Sequence, residues 1–163
     1  MLVFDSRQRI VLVEELEDRP EVGKRPGMKS IPMGERRPNE PFIRTAEREF
    51  FEETGQEART ERMLGFVEIQ MTDDRKVGIW AYLGKLTGRS GSRSSKTVAD
   101  TPPLSEGAFL RLGSFDLRPG NRQIYANHLY QQKLLELRVP ASWINELAFS
   151  TAPPEAKIQL ARE

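Results

Sequence analysis

The chain has 163 residues, 37% of them hydrophobic, which suits a single domain with a sizeable buried core. Its 25 basic and 24 acidic residues leave a formal net charge of +1, so no bulk field marks it as a nucleic-acid or membrane binder. It has no cysteine, which excludes disulfides, thiolate zinc sites and cysteine catalysis, and agrees with an expected cytoplasmic location.

Residues 1–4 and 9–16 are rich in Leu, Val and Ile, and residues 5–8 between them read as a turn, so a hairpin or one bent strand is expected. Any strand that relatives place ahead of it is expected to be short or missing, and no signal-peptide pattern precedes it. No apolar run reaches the length of a membrane span. Residues 18–29, with Pro20, Gly23, Pro26 and Gly27, form a loop. Ile31, Pro32 and Met33 then make a short apolar run that stops at Gly34.

Residues 45–54 carry strong helix formers and no Gly or Pro, and Gly55 suits a left-handed helix end. At about 100° per residue, Glu49, Glu52 and Glu53 share one face while Ile43, Ala46, Phe50 and Phe51 occupy the other. Carboxylates crowded into one turn repel each other, by a few tenths of a kcal/mol at i,i+4 spacing, so a cation should offset them. Ligation by oxygen alone suits a hard divalent ion, Mg²⁺ or Mn²⁺, whose remaining ligands are commonly waters and phosphate oxygens.

From Gly34 the spacing runs through five residues to Glu40, seven more to Arg48, then Glu49, Phe50, Glu52, Glu53 and Gly55. This pattern resembles the signature of the Nudix hydrolases over residues 34–56; the last position, aliphatic in the family, is Gln56 here. The resemblance implies an α/β fold, a Nudix-type α/β/α sandwich with a mixed β-sheet. It also implies metal-dependent hydrolysis of the pyrophosphate bond in a nucleoside diphosphate linked to another group. Carried over by position, Glu52 and Glu53 would be the main metal ligands and Glu49 a ligand or water-activating base. Arg48 would orient a glutamate of the helix, Glu40 would brace the loop, and Gly34 would offer a backbone carbonyl near the metal.

Lys24, Arg25, Lys29, Arg36 and Arg37 flank this stretch, either as ordinary surface charges or as groups that steer a polyphosphate. Residues 63–71 and 76–86 read as a β-hairpin turning at Asp73 and Asp74, with Trp80 either a base-stacking aromatic or a buried sheet residue. Residues 88–103 lack apolar periodicity and are expected to be a mobile loop. Residues 107–112 read as a strand, and the acid just before it, Glu106, is the candidate for the further acid that Nudix proteins place outside the signature; Asp100 and Asp73 are its rivals. Residues 121–137 form the second major helix, with His128 a structural histidine on it, and residues 139–163 make a C-terminal extension.

The resemblance leaves the substrate open, since markers that some subfamilies carry downstream are missing at Gln70, Met71, Thr72 and Asp73. Two readings from other classes remain beside hydrolysis: a catalytically silent Nudix-fold nucleotide sensor, and nucleic-acid binding through Arg89, Arg93 and Lys96, which the balanced charge disfavours. The resemblance leaves oligomeric state open as well, though homodimers are common among Nudix proteins.

Overall fold

The computed structural model describes residues 1–71 and 74–144. Asp73 and the apolar tail residues Leu147 and Phe149, with Pro153 and Pro154, lie outside the described residues. In chain order the elements are β1 (Leu2–Phe4), β2 (Val13–Glu15), β3 (Lys29–Ser30), α1 (Phe42–Thr54), β4 (Gln56–Gln70), β5 (Lys76–Ser90), β6 (Val98–Asp100), α2 (Glu106–Leu110) and α3 (Asn121–Glu136). None of these helices is long and apolar enough to cross a membrane.

Among the described residues two three-stranded sheets form. In the first, of order β1-β5-β4, β1 runs parallel to β5 with Leu2 opposite Leu83, while β4 runs antiparallel to β5 with Phe66 opposite Trp80, so the sheet is mixed. The second, β3-β2-β6, is antiparallel, and Val13 stands opposite both Ser30 and Asp100. Side chains that alternate along a strand divide the core between the two faces of the first sheet. Leu2, Leu64, Ala81 and Leu83 pack with Phe109 of α2 and Ile124 and Tyr125 of α3. Val3, Met63 and Tyr82 pack with Phe50 of α1, joined by Phe42, Ile43 and Ala46. Each fully buried aliphatic or aromatic side chain contributes about 1.5–3 kcal/mol, and the two clusters fix helices on opposite sides of the sheet. The result is the expected α/β/α sandwich.

β4 is irregular between Met63 and Gly65, where the register slips. The buried amide of Gln131 in α3 donates to the carbonyls of Met63 and Leu64 at 3.1 and 3.2 Å, satisfying the strand where the ladder lapses.

Residues 1–16 turn back at 5–8 as a short hairpin does: Asp5 Oδ1 accepts from the N–H groups of Arg7 and Arg9 at 2.8 and 2.9 Å, Phe4 makes an antiparallel bridge to Ile10, and β1 and β2 enter different sheets. Two sequence expectations change. Residues 88–103 are not structureless, because β5 continues to Ser90 and β6 occupies 98–100. Residues 107–112 begin as helix, not strand, because the Ser105 hydroxyl accepts from the Ala108 N–H at 3.3 Å and caps α2. The hairpin of β4 and β5 is present and longer than expected.

Candidate active site

The acidic stretch forms a helix because residues 42–54 contain no breaker, and Gly55 ends it at φ 69° with its N–H bonded to the Phe51 carbonyl. Phe50 turns into the core and pulls Glu53, three residues on, toward the interior on the neighbouring flank; Glu53 is only 4% exposed. The Met33 N–H, at the end of the apolar run, donates to Glu53 Oε2 at 3.0 Å. Burial, followed by the charges of Glu15 and Glu49, pushes the Glu53 carboxyl up to about 7.

Arg48 organises the remaining acids. Its Nη1 donates to Glu49 at 2.5 Å and to Glu52 at 3.0 Å, its Nε and Nη2 grip Glu40 at 2.7 and 2.8 Å, and Nη2 also reaches the Glu35 carbonyl at 3.1 Å. Arg37 donates to the other oxygen of Glu52 at 2.9 Å. Glu40 further accepts from the Arg37 N–H at 3.1 Å and the Thr45 hydroxyl at 3.0 Å, so the loop before α1 is laced to the helix. The Arg48 hydrogen bonds hold Glu40 down at about 2. Gly34 lies so close to Glu49 that a Cβ there would fall on its carboxylate. Among the described residues no three acidic side chains stand together as a ready-made ion cage; Glu49 and Glu52 are turned toward Arg48.

Gly34, Glu49, Glu52 and Glu53 line one end of a cleft of about 730 Å³. Trp80 lines it too, its ring 5.0 Å from Phe42 and 4.9 Å from Phe66, and the Arg36 guanidinium sits 4.9 Å over the Phe42 ring. Segment 94–97 closes another side, held by the Ser94 and Ser95 N–H groups, which donate to the Glu52 carbonyl at 3.0 and 2.8 Å, and it brings Lys96 to the cleft. The stretch read as a loose loop therefore hangs from the acidic helix itself.

Other candidates lie elsewhere. Lys29 pairs with Glu14 on the neighbouring strand and does not line the cleft. Glu106 opens α2 and bonds Tyr125 on the opposite side of the sheet, and its rival Asp100 pairs with Arg93 at 3.4 Å. His128 stacks among Phe4 and Tyr125, with ring centroids 5.2 and 6.0 Å away, far from the acidic face; its Nδ1 has no hydrogen-bond partner. Outside the helix, the acid whose charge acts most strongly on Glu53 is Glu15, 1% exposed at the end of β2. Period-2 alternation from the buried Val11 and Val13 was the signal for it, since it places Glu15 on their face. The cleft residues Lys24 and Arg118 pair with Glu15 at 3.3 and 3.1 Å.

The NUDIX domain family profile matches residues 1–127. In structure the chain is similar to a NUDIX hydrolase from Nitrosomonas europaea, with 17% identity, a TM-score of 0.68, and coverage of 80% of this chain and 85% of that one. It is also similar to a UDP-X diphosphatase, at 17% identity and TM-score 0.57, over 78% of this chain and 61% of that one. A MutT protein from Methanosarcina mazei Go1 aligns at 19% identity and TM-score 0.55, over 81% and 91% of the two chains. These likenesses speak for the fold. No curated protein matches the chain in sequence.

Proposed function

The chain belongs to the NUDIX domain family, and from that premise we propose that it is a Mg²⁺- or Mn²⁺-dependent pyrophosphohydrolase that cleaves a nucleoside diphosphate linked to another group. The observation that carries this reading is the buried Glu53 at the floor of the cleft, crowded by the charges of Glu15 and Glu49 and bonded by a neutral backbone donor. Such a group calls for a cation. The donors are all oxygens, and Gly34 leaves its backbone bare beside Glu49, so the residues suit a hard divalent ion. A bound divalent ion would neutralise pyrophosphate oxygens and lower the pKa of a water.

The protein groups divide the remaining work. Glu52 and Glu53 would hold the ion, with Glu49 either joining them or taking the proton of the attacking water. Arg48 is a positioning residue: through Glu40 it fixes the loop, and through Nη1 it aims Glu49 and Glu52. Trp80 and Phe42 offer an aromatic wall for a base, while Arg36 and Lys96 bring positive charge to the polyphosphate path. The likeness in fold to a UDP-X diphosphatase supports a diphosphate substrate class.

The test is a panel of nucleoside diphosphate derivatives assayed for product release with Mg²⁺ and with Mn²⁺, before and after chelation. Turnover that needs the ion and nearly vanishes in Glu53→Gln is the expected result. Nucleotide binding with no product from any compound would replace hydrolysis by the sensor reading, and unchanged turnover in Glu53→Gln would remove the assignment of this site.

A further inference from the structure

β5 pairs with β4 throughout but with β1 only at residues 83–85, so among the described residues 76–82 have no strand on their other side. The cleft follows that open edge, because Val77, Gly78, Ile79 and Trp80 line it in succession. Successive residues of a strand face opposite ways, and the edge therefore divides the cleft into two walls. Trp80 packs on the side of Phe42 and α1, which carries the acidic residues, whereas Ile79 packs against the core on the side of α3.

The second wall is aliphatic and continuous. Ile69 stands opposite Val77 on the neighbouring strand. A Cβ on Gly120 would lie 2.6 Å from Ile69 Cδ1 and 3.1 Å from Ile79 Cδ1, and one on Gly23 would lie 3.1 Å from Pro119 Cγ and 3.5 Å from Met71 Cε, so both loops close against these side chains. Arg75 Nη2 donates to the Glu21 carbonyl at 3.1 Å and ties the tip of the β4–β5 hairpin to the turn that carries Val22. Val22, Ile69, Val77 and Ile79 are half-buried, and all four line the cleft.

The charged groups beside this wall are already matched. Lys24 Nζ lies 3.3 Å from Glu15 and 3.7 Å from Glu17, Arg118 Nη1 donates to Glu15 at 3.1 Å, and Arg19 Nε donates to Glu21 at 3.0 Å. A sugar set here would bury its hydroxyls against carbon and lose hydrogen bonds that water had supplied. A hydrocarbon group loses none, and it removes apolar surface from water on itself and on the wall.

We propose that the group linked to the second phosphate is apolar: the substrate class is a nucleoside diphosphate esterified to an alkyl or other hydrocarbon group, which lies on the Ile69, Val77 and Ile79 wall while the base lies on Trp80. The inference rests on the reading of this cleft as a pyrophosphohydrolase site and adds which linked group the cleft selects. Water adds across the P–O–P bridge. Its oxygen joins one phosphorus, the bridging oxygen leaves with the other, and the products are a nucleoside monophosphate, the phosphomonoester of the hydrocarbon group, and protons released to solvent.

The experiment compares kcat/KM for the octyl and the glucose ester of the same nucleoside diphosphate, in the adenosine, guanosine, cytidine and uridine series, with Mg²⁺ and with Mn²⁺. It uses the full chain and the variants Val77→Asn and Val22→Asn, which alter the wall from two separate elements. The expected octyl-to-glucose ratio is at least about tenfold in the unsubstituted chain and falls at least about threefold in the variants. A general loss of stability lowers both esters alike and leaves the ratio in place, so the ratio reads the wall and not the fold. Should one variant fail to fold, the other decides together with the ratio of the unsubstituted chain. A smaller ratio in the unsubstituted chain, or one that no folded variant changes, overturns this inference and leaves the hydrolase reading standing. Absence of turnover of every ester with either ion overturns both.

Discussion

Arg48 and Glu40 meet as a two-bond fork, Nε to Oε1 at 2.7 Å and Nη2 to Oε2 at 2.8 Å. The planar guanidinium can make this fork and still spare Nη1 for Glu49 and Glu52, which a lysine ammonium cannot. Arg48→Lys is expected to lower thermal stability modestly and kcat strongly, because the two acids lose their common anchor. Thermal unfolding and steady-state kinetics on the same preparation check it; a kcat near that of the parent would show that Arg48 does not aim them.

The fork also sets an acid limit. The Arg48 bonds hold Glu40 at about 2, below its ordinary value of 4.5, so the native state binds fewer protons here than the unfolded chain. The stability from Glu40 is therefore fully present above about pH 4.5 and is lost as pH falls through about 2. Glu40→Gln should cost roughly 1–3 kcal/mol at neutral pH and flatten the decline in that acid window. Urea unfolding from pH 2 to 7 measures both, and parallel profiles for the two proteins would rule out this assignment.

Gly34 needs no left-handed backbone, yet it cannot carry a side chain without moving Glu49. The atoms it would meet are the far end of the Glu49 side chain and not backbone, so Gly34→Ala should leave unfolding within about 0.5 kcal/mol of the parent. It should nevertheless reduce kcat at least tenfold by turning Glu49 aside. A matched loss of stability and activity would point to a collapsed loop instead.

Gly55 presents the opposite case. Its φ of 69° and the Gly91 carbonyl, which would lie 2.6 Å from an added Cβ, both oppose substitution. Gly55→Ala should cost more than about 1 kcal/mol. Because the Gly91 N–H bonds the Gly55 carbonyl at 2.7 Å, amide exchange in residues 91–97 should rise as well. Exchange confined to the helix end would show that segment 94–97 is held by other contacts.

Trp80 lies in the aromatic row between Phe42 and Phe66 and faces the cleft. Trp80→Leu should raise KM about tenfold, equivalent to roughly 1.4 kcal/mol, with little change in kcat. A kcat effect with constant KM would place Trp80 in the support of the acidic helix, not against the substrate.

The sequence by itself determined what depends on near neighbours. A breaker-free run closed by Gly55 made α1, the 3.6-residue period put Glu49, Glu52 and Glu53 together, and motif spacing identified the family. Alternation likewise separated the two strand faces that build the core. Tertiary structure decided what depends on distant segments meeting. Glu106 looked well placed because it precedes an apolar run, but Ser105 capped that run into a helix and Tyr125 engaged the acid. Residues 94–97 offered no periodicity, since their order comes from the Glu52 carbonyl more than forty positions earlier. Glu15 is one of two acids that end β2, and only the arrival of Arg118, 103 positions away, made it a paired buried charge whose field acts on Glu53. Local propensity is written in short windows, whereas the field at a buried carboxylate is a sum over whatever the fold brings near it.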